Sequence, residues 1–223
     1  MSKFSIVVRT LTDVASATAA TTWFCAQEKC GPKALQSVPT DIGLVMIPLD
    51  ILRLSLREAD DPVQLRLTLA DRALSGIGDV LLAKRQEIPG FLAFLAAQTI
   101  KSFIGGRRSK FGRNKLPFVL YGLAATGYTA WIWRKIEDPA MRPAALLYAG
   151  TISVAAAQFA SAAMDADTGE QRLKWTLAAI GGGMQFVSDA VLGYNFFVKM
   201  LPHGEAIVMS TYWGGTILQG EAI

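Results

Sequence analysis

The chain has 223 residues, 52% hydrophobic and 18% charged, with a formal net charge of +4. Its mean hydropathy is +0.33 and its pI about 9.1. So little charge leans away from a water-soluble domain and towards a membrane protein, and nothing divides the composition, so one integral membrane helical domain over residues 1–223 is expected. The basic pI does not point to nucleic acid, because no basic face with interleaved aromatics accompanies it.

Taken in chain order, residues 4–24 are apolar but interrupted by Arg9 and Asp13. That pattern argues against a cleavable signal peptide and for a first helix that stays attached. Cys25 and Cys30 in "CAQEKC" lack a companion His or Cys for a zinc site and read as plain thiols near a helix end. Residues 41–56 are a second apolar segment, with Asp50 and Arg53 inside it. Residues 68–83 surround Asp79, and residues 88–105 end with Lys101. The positive charge gathers in "KSFIGGRRSKFGRNK" (101–115), which reads as a cytoplasmic loop over 106–115 facing anionic headgroups. Residues 116–133 and 143–164 hold no charge, and the first of these ends in a Trp pair suited to a membrane interface. Residues 175–198 surround Asp189, and residues 206–220 are uncharged but short. The single histidine, His203, lies in the loop-like "LPHGEA". Metal chemistry built on several histidines is therefore excluded.

These segments predict an all-α, multi-span transmembrane helix bundle of about eight helices joined by short polar loops. No strand alternation suggests a β-barrel, and no internal repeat is present. The Lys/Arg distribution places both termini in the cytoplasm, for a multi-pass protein of a bacterial inner membrane or an ER-type membrane. A soluble helical bundle is the structural alternative, in which Arg9, Asp13, Asp50, Arg53 and Lys101 would be ordinary.

Asp79 in "SGIGDVLLA" and Asp189 in "GGMQFVSDAVLGY" are the residues that ask for an explanation. An ionised Asp in a bilayer interior costs at least about 2.5–3.5 kcal/mol, so a chain keeps one for a return. A protonated Asp beside an ionised one is the arrangement acid–base chemistry needs. The bland reading is a polar residue bonded to a neighbouring helix. For the glycines around them, Gly76, Gly78 and Gly181 to Gly183, close helix packing is the favoured explanation. Asp13 and Asp50 are the weaker candidates, each beside an Arg or near a segment end.

The order of "ALSGIGDVLLAK", "RPAALLYAGTIS", "GGGMQFVSDAVLGYNFF" and "TYWGGTILQG" resembles the lysoplasmalogenase family of YhhN-like membrane proteins over roughly residues 30–220. The resemblance implies a hydrolase that cleaves the sn-1 vinyl ether of lysoplasmalogens. The products are a fatty aldehyde and a glycerophospho-choline or -ethanolamine. It implies Asp79 and Asp189 as the catalytic pair, with Tyr212, Gln98, Ser188 and Lys33 on the substrate side. No cofactor or metal is expected; the partners are a lysophospholipid substrate and the lipid bilayer, without nucleic acid. The chain departs from the family pattern at Gln98 where His is usual, at Lys101 where Tyr is usual, and at Thr216 where Gln is usual.

Three other classes stay open, one of them a proton-coupled transporter, which would use intramembrane Asp residues but favours an internal repeat that is not seen. "GIGD" also matches the Gly-x-Gly-Asp signature of intramembrane aspartyl proteases, although their partner Asp precedes that motif, whereas Asp189 follows it. A non-catalytic member, keeping only the membrane fold, would use both Asp residues to pin helices together.

Overall fold

The computed structural model describes residues 3–36, 44–57, 59–109, 113–139, 141–167 and 169–222. Within them the chain is all-α, with no strand. The helices are α1 (Lys3–Glu28), α2 (Lys33–Gln36), α3 (Met46–Ser55), α4 (Pro62–Ala83), α5 (Glu87–Ser109), α6 (Leu116–Ile132), α7 (Met141–Met164), α8 (Gly169–Phe197) and α9 (Gly204–Gln219), and a 3-10 turn over Gly220–Ala222 follows. Among the described residues each expected apolar segment falls on one helix, the start of the 41–56 segment at residues 41–43 lying outside them, and α2 is an additional single turn.

The boundaries move for local reasons. α4 begins at Pro62 rather than 68 because Asp61 caps it: its carboxylate accepts from the Val63 and Gln64 amides at 2.9 and 3.2 Å, with Pro62 in the first turn. α5 runs on to Ser109, so Arg107 and Arg108 lie in its last turn rather than in a loop, while residues 110–112 of the expected loop lie outside the described residues. Cations there face the negative end of the helix dipole. The left-handed residues Lys29, Arg85 and His203 all lie where one helix gives way to the next. Both cysteines are free thiols.

The chain forms two compact units, Met1–Ala97 and Gln98–Ile223. In the first, α3 packs against α1 and α4. A Cβ on Gly76 would lie 3.0 Å from Ile47, and one on Gly78 would lie 2.7 Å from Phe94. Those glycines serve close packing, as expected. The interior of this unit is charged. Asp50 accepts from Arg53 at 2.9 Å and from Arg72 at 2.8 Å, and Arg72 also binds Asp71. All four side chains are buried. Guanidinium groups set against carboxylates are what lets charge persist away from water.

In the second unit α8 is the central element, packed on α7 and α9. α8 and α9 meet backbone to backbone: a Cβ on Gly181 would lie 2.5 Å from the Gly215 carbonyl, and one on Gly215 would lie 2.6 Å from the Gly181 carbonyl. The rings of Phe159 and Trp175, 6.2 Å apart, fill the α7–α8 contact. α6 is uncharged yet turns Leu116, Val119, Leu120 and Leu123 outward. Among the described residues, α5 and α7 are the helices long and apolar enough to cross a membrane, and α6 is an apolar helix of 17 residues.

Candidate active site

The polar groups of the second unit meet on the inward faces of four otherwise apolar helices. On α8, Gln185 and Asp189 are four residues apart and share a face. On α5, Gln98 and Lys101 are three apart, as are Thr216 and Gln219 on α9. Tyr148 comes from α7. Helical spacing therefore aims these side chains at one another once the glycine and alanine surfaces between the helices close.

At the centre is Asp189, half-buried. The Tyr148 hydroxyl donates to its Oδ2 at 2.7 Å, and the Gln98 amide donates to the same oxygen at 3.5 Å, the outer limit of a hydrogen bond. The charge of Lys101 also acts on this carboxylate. One turn away on α8, Gln185 joins three helices. Its Oε1 accepts from Lys101 Nζ at 2.8 Å and from Gln219 Nε2 at 3.2 Å, and its Nε2 donates to Thr216 Oγ1 at 2.9 Å. Lys101, Gln185, Thr216 and Gln219 are all buried. On the other side of Asp189, the Tyr128 hydroxyl on α6 donates to the Ala190 carbonyl at 2.6 Å.

The residues singled out from the sequence are not all gathered here. Gln98 and Asp189 come together. Ser188 is buried beside Asp189 in sequence but points elsewhere, its hydroxyl donating to the Val208 carbonyl on α9 at 2.9 Å. That bond pins α8 to α9. Tyr212 is buried on α9. Asp79 lies half-buried on α4 and Lys33 is exposed at the start of α2, both in the first unit.

Sequence reasoning passed over Tyr148, Gln185 and the Asp50–Arg72 network. Tyr148 stands in the quoted "RPAALLYAGTIS", and Gln185 stands one turn before Asp189 in "GGMQFVSD". A search for polar residues at helical spacing within apolar helices would have found both. Among the described residues, no group of three or more His, Cys, Asp or Glu side chains is placed to hold a metal ion.

No curated protein and no solved structure matches the chain. The sequence pattern that defines the YhhN family does match, over residues 44–220. The matched region takes in Asp79, the Asp50–Arg72 network and every member of the polar cluster around Asp189. With most of its length inside that match, the chain belongs to the YhhN family.

Proposed function

We propose that the chain is a multi-pass membrane hydrolase of lysoplasmalogens, cleaving the sn-1 vinyl ether to a fatty aldehyde and a glycerophospho-choline or -ethanolamine. The observation that carries this reading is the convergence of Tyr148 and Gln98 on one oxygen of Asp189, inside helices that otherwise present apolar and small residues. A carboxyl group maintained among hydrogen-bond donors at such a place suits proton transfer. The membrane setting is supported by the two long apolar helices and by the outward-facing leucines of α6.

The chemistry asks for one acid and one carboxylate. The acid adds its proton to the outer vinyl carbon, and the carbon bonded to oxygen becomes an oxocarbenium ion. The carboxylate stabilises that cation and takes a proton from water as the water oxygen bonds to it. In the resulting hemiacetal the carboxyl group that took the water proton passes it to the glycerol oxygen, which leaves as the alcohol. The first acid, now a carboxylate, takes the hydroxyl proton, so that the aldehyde remains and both groups return to their starting states. One vinyl ether and one water give one aldehyde and one alcohol. Asp189 suits the carboxylate part, since two donors point at its Oδ2 and an ionised carboxylate only accepts. The acid is then Asp79, a role that rests on its family motif "GDVLL".

A second reading has its own observation. Lys101 and Thr216, two of the departures from the family pattern, are both bonded to Gln185. A chain that kept the fold and gave up the reaction would build such a structural link. Aldehyde release from a lysoplasmalogen by purified protein separates the two. The hydrolase gives aldehyde that Asp79→Asn and Asp189→Asn each abolish, and the non-catalytic member gives none from a folded parent.

A further inference from the structure

Glycine is unfavourable inside a helix, so each one there asks for a reason. At Gly181 and Gly215 the reason is a neighbouring backbone, but at Gly122, Gly127 and Gly150 an added Cβ would meet nothing within 4 Å. Gly122 on α6 and Gly150 on α7 instead line a groove of about 240 Å³ between these two helices. Its lining is mostly apolar and free of charge, running from Phe118 and Val154 at one end to Thr129 and Leu146 at the other. The span from Phe118 to Thr129 is about 16 Å at the helical rise. Side chains at 122 and 150 would fill it, so these glycines keep open a space that this unit does not fill.

The surroundings of the groove are graded along its length. At the Thr129–Leu146 end, Tyr148 precedes the lining residue Ala149 in the chain and reaches from the adjoining face of α7 to Asp189 at 2.7 Å. Tyr128, next to Thr129, bonds the carbonyl of Ala190 at 2.6 Å, which sets this part of α8 level with the same end. Beyond it lies the connection from α6 to α7, with Arg134, Lys135, Glu137 and Asp138 exposed. Arg142 folds back onto that connection, donating to the Ile136 carbonyl at 3.1 Å and covering the Trp133 ring at 5.9 Å. The sequence in space is thus a mixed-charge surface, a hydroxyl–carboxylate pair and a long apolar slot.

We infer that this groove seats the alkyl chain of a single-chain zwitterionic phospholipid, with the first chain carbons at Tyr148 and Asp189 and the headgroup on the connection between α6 and α7. The inference rests on the proposed hydrolase for which bond lies beside Asp189. Opposite charges on the connection complement a phosphate and an ammonium together, and the uncharged slot complements the chain. Gly122 and Gly150 then set the chain length that is accepted.

The test uses a lysophosphatidylcholine carrying a diazirine at the end of its chain, photolysed on the purified full-length protein in detergent, with labelled peptides mapped. Label is expected on α6 near Phe118 and Gly122 or on α7 near Val154. Gly122→Leu and Gly150→Leu should each lower that labelling by about tenfold, the scale of a lost or blocked methylene contact. Gly127→Leu, equally open but outside the groove, should leave it unchanged. Label confined to other helices, label insensitive to both groove variants, or crosslinks between two copies of the chain at α6 and α7 would overturn the inference. Aldehyde release is measured alongside. Release whose chain-length profile ignores Gly122→Leu and Gly150→Leu would overturn the groove and leave the hydrolase standing. Labelling of the groove by a parent that releases no aldehyde would leave the groove standing and remove the hydrolase.

Discussion

The Tyr148 hydroxyl donates to Asp189 at 2.7 Å, and its removal distinguishes a reacting carboxyl group from a merely pinned one. Tyr148→Phe takes away one hydrogen bond to a charged group, about 1.5–3 kcal/mol, while keeping the ring. If Asp189 reacts, aldehyde release per folded molecule should fall by roughly tenfold to a hundredfold, beyond any loss of stability. An equal loss of stability and no specific loss of rate would assign the pair to packing. In the first unit the expectation is the reverse. Arg72→Met leaves Asp50 and Asp71 buried without their shared cation, and breaking such a pair costs about 3–5 kcal/mol. A thermal melt of the variant in detergent should show a large drop, and an unchanged melt would mean that water reaches those carboxylates. At this scale the sequence was legible for Asp189, because a charge in an apolar run is conspicuous. It was not legible for Tyr148, Gln185 or Asp71. Their partners lie far away in the chain, and Asp71 and Arg72 resemble an ordinary solvated pair until the helix turns them inward.

Helices were the most legible elements, since apolar runs separated by Pro, Gly and charge leave little freedom. Their ends were less so: Asp61 starts α4 earlier than the apolar pattern does, through a cap that hydropathy does not register. The α8–α9 contact gives the clearest test at this scale. Gly181→Ala would push a methyl to 2.5 Å from the Gly215 carbonyl, so the two backbones must part. Gly127→Ala meets nothing and removes a flexible residue from a helix, so it should be neutral or raise stability by about 0.5–1 kcal/mol. Thermal melts of the two variants should therefore move in different directions, and equal shifts would contradict the close contact. That three adjacent glycines, Gly181 to Gly183, serve packing was readable from their clustering. Which of them touches a backbone was not, because only the rotation of α8 decides it.

At the scale of the whole molecule, the described residues expose many large hydrophobic side chains. Leu116, Val119, Leu120 and Leu123 form a continuous outward face on an uncharged helix, and α5 and α7 are long enough to span a bilayer. The protein is expected to stay with membranes through an alkaline carbonate wash and to need detergent for release. Release by carbonate alone would favour the soluble bundle. On the proposed function, the same surface would be the route by which a single-chain lipid reaches Asp189 sideways, without leaving the bilayer. The all-α class and the family were both legible in the sequence, the first from periodicity and the second from the order of its motifs. For the proposed chemistry the motifs name Asp79 and Asp189 as candidates, but not the groups gathered around Asp189.

The most direct measurement is aldehyde release from a lysoplasmalogen by purified, detergent-solubilised protein, with Asp79→Asn and Asp189→Asn alongside. The account predicts aldehyde from the parent and, from either variant, a loss of the reaction with the fold retained. A folded, monodisperse parent that releases none, or variants that keep the rate, would contradict it.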